Sequence, residues 1–279
     1  MLLHWDQLSP WQRDNQFIHS GYRTVSNSFR ASFASLGYVH NESVNIYSHL
    51  IPAILLALFS IPLHAKLMAE YTSASTSDTI ALGCFVVGAV LCLSISAIFH
   101  TVQNHSLHIA RITNQMDYIG IVLLIVGSFI PSIFYGFYCH PILQTAYITM
   151  IAFLGLLCAA ISAGPQFRHP RWRHFRARMF IVLGLSAVFP CVHGVVKFGV
   201  RQMNNQIGLF WVILQGSLYI SGAFIYAIQL PERLYPGAFD IWMSSHQIFH
   251  LMVVMAIVFH LQGLINAFRY NHSFMATHC

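Results

Sequence analysis

The apolar positions of this chain fall into long unbroken runs, without the three-and-four spacing of a surface helix or the alternation of a half-buried strand. Such runs cover Ile46 to Leu63, Thr79 to His100, Met116 to Tyr135, Pro141 to Ala163, Met179 to Val200, Ile207 to Ile228 and His246 to Leu264. Each approaches the roughly 20 residues that a helix needs to cross a bilayer. Breakers and charges separate them, for example Gly164-Pro165 and the segment Pro231-Glu232-Arg233-Leu234-Tyr235-Pro236-Gly237. The pattern predicts an all-α polytopic membrane protein, a seven-transmembrane-helix bundle over residues 46–264 with a cytoplasmic N-terminal segment (1–45) and a short extracytoplasmic tail (265–279). Internal repeats, low-complexity tracts and the alternating segments of a membrane β-barrel are missing from the pattern.

Composition sharpens this reading. Hydrophobic residues make up 56% of the 279, and charged residues 8%, against about 25% in a soluble domain. Too few charges are present to solvate a surface of this size, which excludes a cytosolic enzyme, a secreted domain and a disordered chain. The net charge of +6 does not mark a nucleic-acid partner, because the positive residues flank apolar runs instead of gathering on one solvated face. They serve to orient the helices. With seven spans the termini lie on opposite sides, and the N-terminal side collects ten cations: Arg13, Arg23, Arg30, Arg111, Arg168, Arg171, Arg173, Arg176, Arg178 and Arg233. Lys66, Lys197, Arg201 and Arg269 make four on the other side. The positive-inside rule then puts the N terminus in the cytosol and the C terminus outside, the reverse of a G-protein-coupled receptor. Residues Met1 to Asp14 lack the basic and apolar regions of a cleaved signal peptide, so the first span is expected to direct insertion. The six cysteines form no C-x-x-C pair and mostly sit in or beside apolar runs, which reads as packing rather than a disulfide framework.

The topology brings ionisable residues from different runs to one depth. The second run ends on the inner side at His100, the third begins there with Asp117, and the seventh begins there with His246 and His250. Ionisable groups inside spans are costly and face partners in the bundle interior. The i, i+4 spacing of His246 and His250 sets both imidazoles on one helix face, and His100 supplies a third nitrogen. Three imidazoles with an open fourth position describe a zinc site (Zn²⁺), whereas iron and manganese usually draw carboxylates into the ligand set. Asp117 is the candidate catalytic carboxylate, holding water or orienting a ligand. Ser96 lies one turn from His100 on the same face; it either contacts substrate or water, or bonds back to its own helix carbonyl. His193 and His260 lie about 21 Å deeper, at 1.5 Å per residue. They are expected to make interhelical hydrogen bonds or to line a deeper cavity. His49 is one turn into the first span, with no spacing that assigns it a role, and His169 and His174 lie among arginines and are expected at solvent or lipid headgroups.

These residues resemble the progestin and adipoQ receptor family, which includes the adiponectin receptors, fungal zinc-homeostasis proteins and, more distantly, haemolysin III. The resemblance spans most of the chain. It rests on His40-Asn41-Glu42 with Asn45-Ile46-Tyr47-Ser48-His49, on Ser96 and His100, and on Met116-Asp117-Tyr118 with Gly127-Ser128-Phe129. Pro231-Glu232-Arg233 with Pro236-Gly237, and Ser245-His246-Gln247-Ile248-Phe249-His250, complete it. The resemblance implies zinc on His100, His246 and His250, Asp117 acting through water, and a lipid-accessible cavity. It also implies one of two activities. The first is a ceramidase-like hydrolase that cleaves the amide of a membrane lipid, influencing lipid and zinc homeostasis; the second is a receptor or sensor for an extracellular ligand in which zinc is structural. Plasma membrane and endoplasmic reticulum both suit the sequence.

Overall fold

The computed structural model describes residues 2–164, 172–277 and 279. Among these the secondary structure is helical, with a lone backbone bridge between Leu3 and Tyr22. A short helix α1 (Phe29–Ala34) precedes α2 (Ser43–Glu70), α3 (Thr76–Val102), α4 (Leu107–Gly136) and α5 (Pro141–Ala163). There follow α6 (Arg173–Leu185), α7 (Val188–Phe198), α8 (Val200–Ile207), α9 (Leu209–Ile228) and α10 (Ser245–Ser273). Seven stretches are long and apolar enough to cross a membrane, α6 and α7 together forming the fifth over His174–Phe198. The chain is a multi-pass integral membrane protein.

Local chemistry sets the helix ends. Ser106 caps α4 by accepting from the Ile109 N–H, and Ser75 with Asp78 forms a capping box on α3. Pro141 occupies the first turn of α5, where its missing N–H costs nothing. The helices run past the apolar limits: α10 continues to Ser273, beyond Leu264, because its polar end finds partners inside the protein. Asn271 donates to the Gln206 carbonyl at 3.0 Å and His272 meets Asp78 at 2.8 Å. The fifth span breaks between Leu185 and Val188. Pro190 has no N–H to return to the Ser186 carbonyl, and the chain closes a tighter turn there, Phe189 N–H to Ser186 O.

Burial is inverted relative to a soluble protein. Phe59, Ile61, Leu156 and Val196 are exposed, facing the hydrocarbon, while Asp78, Ser96, His100, Asp117, His250 and His260 are buried. The tightest helix pair is α3 against α4. A Cβ on Gly127 would stand 2.5 Å from the Cys84 carbonyl oxygen, and one on Gly88 would stand 2.7 Å from that of Leu123. Two backbones approach this closely only through glycine, and this contact fixes Asp117 on α4 relative to His100 on α3.

One reading of the cysteines is corrected here. Cys139, just past α4, is disulfide-bonded to Cys279, with Cα atoms 5.4 Å apart. The other four are free. Pairing across 140 residues has no spacing signature, and only the fold brings the α4–α5 turn to the chain end. His193 and His260 make interhelical bonds, to Tyr147 Oη at 2.7 Å and the Ser128 carbonyl at 3.2 Å. His174 is exposed, and His169, Arg168 and Arg171 lie outside the described residues.

Candidate metal centre

The centre forms where the end of α3 meets the start of α10. His100, in the last turn of α3, and His250 are each 2% exposed, and His246 is half-buried. One ligand atom from each of the three lies within 4.8 Å of the others. Nε2 of His100 and Nε2 of His246 are 3.2 Å apart. Two imidazoles on a tetrahedral zinc with Zn–N of about 2.0–2.1 Å place their nitrogens about 3.3–3.4 Å apart. The donor set therefore fits such an ion, with room for a further ligand.

The outer nitrogens of His100 and His250 are spoken for. His100 Nδ1 meets the Glu42 carboxylate at 2.8 Å, and His250 Nδ1 meets the Asn45 carbonyl at 3.1 Å. Each contact holds a proton on Nδ1 and leaves Nε2 as the free lone pair, the arrangement by which a neighbouring carboxylate or carbonyl orients a metal-binding histidine. Asn45 also donates to the same Glu42 oxygen at 2.6 Å. Burial alone would raise the Glu42 carboxyl, but the contacts from His100 and Asn45 outweigh it and hold the group well below the ordinary carboxylate range. His49 stacks flat on His250, ring centres 3.8 Å apart.

Two further groups secure the backbone. Arg23 is 4% exposed and donates to the carbonyls of His100 at 2.6 Å and Thr101 at 2.8 Å. A cation on these last-turn carbonyls completes the C-terminal end of α3. At the other helix, the fully buried Glu232 accepts from the Ser245 N–H at 2.7 Å and from the Ser245 hydroxyl. A carboxylate at the first N–H groups of α10 satisfies the helix start, one residue before His246. Sequence alone gives Arg23, Glu42 and Glu232 no role at this centre, although Arg23 counts among the orienting cations and Glu42 and Glu232 stand in the motifs. A carboxylate immediately before the first span, at the depth of His100, was the available signal.

Asp117, on α4, is buried within electrostatic reach of His100, with the Ser96 side chain as a neighbour. All five of the residues selected from sequence thus occupy one region, with Ser96 near the carboxylate. A cavity of about 860 Å³ opens beside them, lined by His100, His246, Glu42 and Asp117 and by Tyr118 and Tyr226. Residues 10–15 of the N-terminal segment form its outer wall. That segment is tied down by Asn15 to Glu232 at 3.0 Å and by the His19 N–H to Asp240 at 2.8 Å.

Comparison with known proteins places the chain in a family. Residues 37–261 match the model of the family described as Haemolysin-III related, a stretch that contains the three histidines and Asp117. The chain is 42% identical over 272 residues to ADIPOR-like receptor IZH2 of Saccharomyces cerevisiae, covering 97% of this chain and 85% of that protein. It is 41% identical to the Adiponectin receptor protein of Drosophila melanogaster over 94% of its length, and 38% identical to Progestin and adipoQ receptor-like protein 1 of Caenorhabditis elegans over 94%. The match spans 58% of the fly protein and 60% of the worm protein, which are longer. With the family's matched region running from the turn before α2 into the last span, the chain belongs to the Haemolysin-III related family, among its adiponectin-receptor-like seven-helix membrane proteins.

Proposed function

We propose that this protein is a zinc-dependent hydrolase that cleaves the amide of a ceramide-like membrane lipid, with its metal centre at the cytosolic side. The observation that carries this reading is the convergence of three Nε2 lone pairs, each on a separately supported imidazole or helix end, beside a carboxylate and a cavity. A purely structural tie between helices needs no adjoining cavity. A bound zinc supplies Lewis acidity toward an amide carbonyl and toward water.

The chain's own residues supply the rest. Asp117 takes a proton from water and returns it to the leaving amine, with Ser96 as the neighbouring hydroxyl. Glu42 keeps the His100 proton on Nδ1, and the Asn45 carbonyl does the same for His250. The hydrocarbon-facing surfaces of the helices allow a lipid to approach within the membrane, while the cavity beside the N-terminal segment admits water. The cytosolic placement draws on the ten-to-four distribution of Lys and Arg. It also draws on the Cys139–Cys279 disulfide at the opposite end of the bundle, since such bonds persist in oxidising compartments.

A receptor reading is favoured by the names of the relatives, two of which are described as adiponectin or ADIPOR-like receptors. In that reading the metal pins α3 to α10 and Asp117 is a packing carboxylate. Purified protein assayed against ceramides of several chain lengths separates the two. Hydrolysis is expected, lost in His250→Ala and strongly reduced in Asp117→Asn. A metal-loaded protein that releases no sphingoid base from any of them contradicts the hydrolase.

A further inference from the structure

At the far end of α3 a second polar constellation is built from residues outside the metal centre. Ser73, in the turn between α2 and α3, has its hydroxyl 2.9 Å from Nδ1 of His272 on α10. Nε2 of the same imidazole is 2.8 Å from Oδ1 of Asp78. His272 is 4% and Asp78 1% exposed, whereas Ser73 is exposed. Asp78 is held in turn: Tyr135 Oη donates to Oδ1 at 3.0 Å, and the Ser75 N–H and hydroxyl each donate to Oδ2 at 2.9 Å. Phe268, Tyr71 and Tyr138 pack around the imidazole, with the Phe268 ring 4.4 Å away.

We propose that Ser73, His272 and Asp78 form a second, metal-independent acyl-transfer site for carboxylic esters. A nucleophile within hydrogen-bond reach of a base, the base oriented by a buried carboxylate, defines such a site by geometry rather than by sequence order. Asp78 fixes the Nε2–H tautomer, so the Nδ1 lone pair faces the serine proton. The nitrogens are exchanged relative to the usual serine-hydrolase arrangement, and the proton path is the same. The turn also offers an anion site. Ala74 N–H is committed to the Tyr71 carbonyl and Ser75 N–H to Asp78, but Thr72 and Ser73 N–H make no hydrogen bond among the described residues. The nucleophile's own N–H is one of the oxyanion donors in chymotrypsin-type sites, and here Thr72 N–H stands beside it in the chain.

In the reaction Ser73 Oγ attacks the ester carbonyl carbon as its proton passes to His272 Nδ1. The carbon–oxygen bond to the alcohol breaks, and the alcohol departs with that proton. Water then attacks the acyl-serine by the same route, releasing the carboxylic acid and restoring Ser73. Ser73 lies just beyond Glu70, the last residue of α2, so the hydroxyl stands at the membrane boundary, the depth of lipid ester carbonyls. His100 is 22 residues along α3 from Asp78, about 33 Å away at 1.5 Å per residue, so the two sites do not share groups.

The test is labelling of the purified full chain with a fluorophosphonate, with the adduct located by mass spectrometry and p-nitrophenyl acetate turnover followed in parallel. An adduct on Ser73 is expected, absent in Ser73→Ala, a change at an exposed position that leaves the fold intact. Asp78→Asn, which keeps the shape but favours the wrong tautomer, is expected to slow labelling by about 10²–10⁴-fold. Absence of any Ser73 adduct in the unaltered protein overturns the proposal, as does a folded Asp78→Asn protein that labels at the full rate. Because the readout is the modified peptide, zinc chemistry at the other end neither mimics nor masks it.

Discussion

Removing Glu42 isolates what orientation contributes to the metal centre, because this carboxylate touches a ligand without being one. Its oxygen stands 2.8 Å from His100 Nδ1 and is itself held by Asn45 at 2.6 Å. In Glu42→Ala the His100 ring loses its acceptor, so both its rotation about the Cβ–Cγ bond and its tautomer become free. Loss of such an oriented partner typically costs about 10 to 100-fold in metal affinity, or about 1.4–2.8 kcal/mol at 1.4 kcal/mol per tenfold. Glu42→Gln keeps a carbonyl oxygen that accepts from Nδ1–H and loses only the charge, so its loss is expected at or below the tenfold end. The assay is zinc affinity by competition with a chromophoric chelator, alongside thermal unfolding of the metal-free protein. The order expected is unaltered protein, then Glu42→Gln, then Glu42→Ala. Glu42→Ala that binds zinc as tightly as the unaltered protein refutes the reasoning, and a weakened Glu42→Ala whose metal-free form is also grossly unfolded assigns the loss to the fold.

Three other outcomes follow from particular contacts. Asp117→Asn is expected to retain most of its zinc while losing hydrolysis, measured by metal content and product release; complete loss of zinc would make Asp117 a direct ligand. Gly127→Val drives a side chain into the Cys84 carbonyl across the α3–α4 contact; it is expected to cost about 1–3 kcal/mol in detergent unfolding and to weaken zinc binding, and an unchanged melting curve would contradict the packing described. His40 is buried, and its pKa is lowered from 6.5 to about 4 by desolvation first and by Arg23 second, with Glu42 opposing. The unfolded chain therefore takes up the proton first as pH falls, and the His40 contribution to stability, full above about 6.5, declines toward pH 4. His40→Gln should flatten that part of the stability profile.

What the sequence disclosed follows from which interactions are local. Helix α5 runs from Pro141 to Ala163 as its apolar run predicts, because a first-turn proline starts it and the apolar pattern ends with it. The clustering of His100, His246 and His250 was legible because the i, i+4 pair and the alternation of span directions fix depth without any tertiary detail. The polar end of α10 was not, since the partners of Asn271 and His272 on α8 and α3 are distant in the chain. The supports of the centre were hidden for a similar reason: nothing near Arg23 or Glu232 in the chain reveals that one grips the end of α3 and the other caps α10. The Cys139–Cys279 pair depends wholly on long-range folding.

The central claim is that a zinc ion belongs on His100, His246 and His250, and metal content measured on purified protein by plasma mass spectrometry tests it most directly. One zinc per chain is expected in the unaltered protein. His100→Ala, His246→Ala and His250→Ala should each lower it sharply, and the triple variant should hold none, while His260→Ala, whose imidazole bonds to Ser128 deeper in the bundle, should keep its full complement. A triple variant that is folded and still carries one zinc per chain would contradict the account.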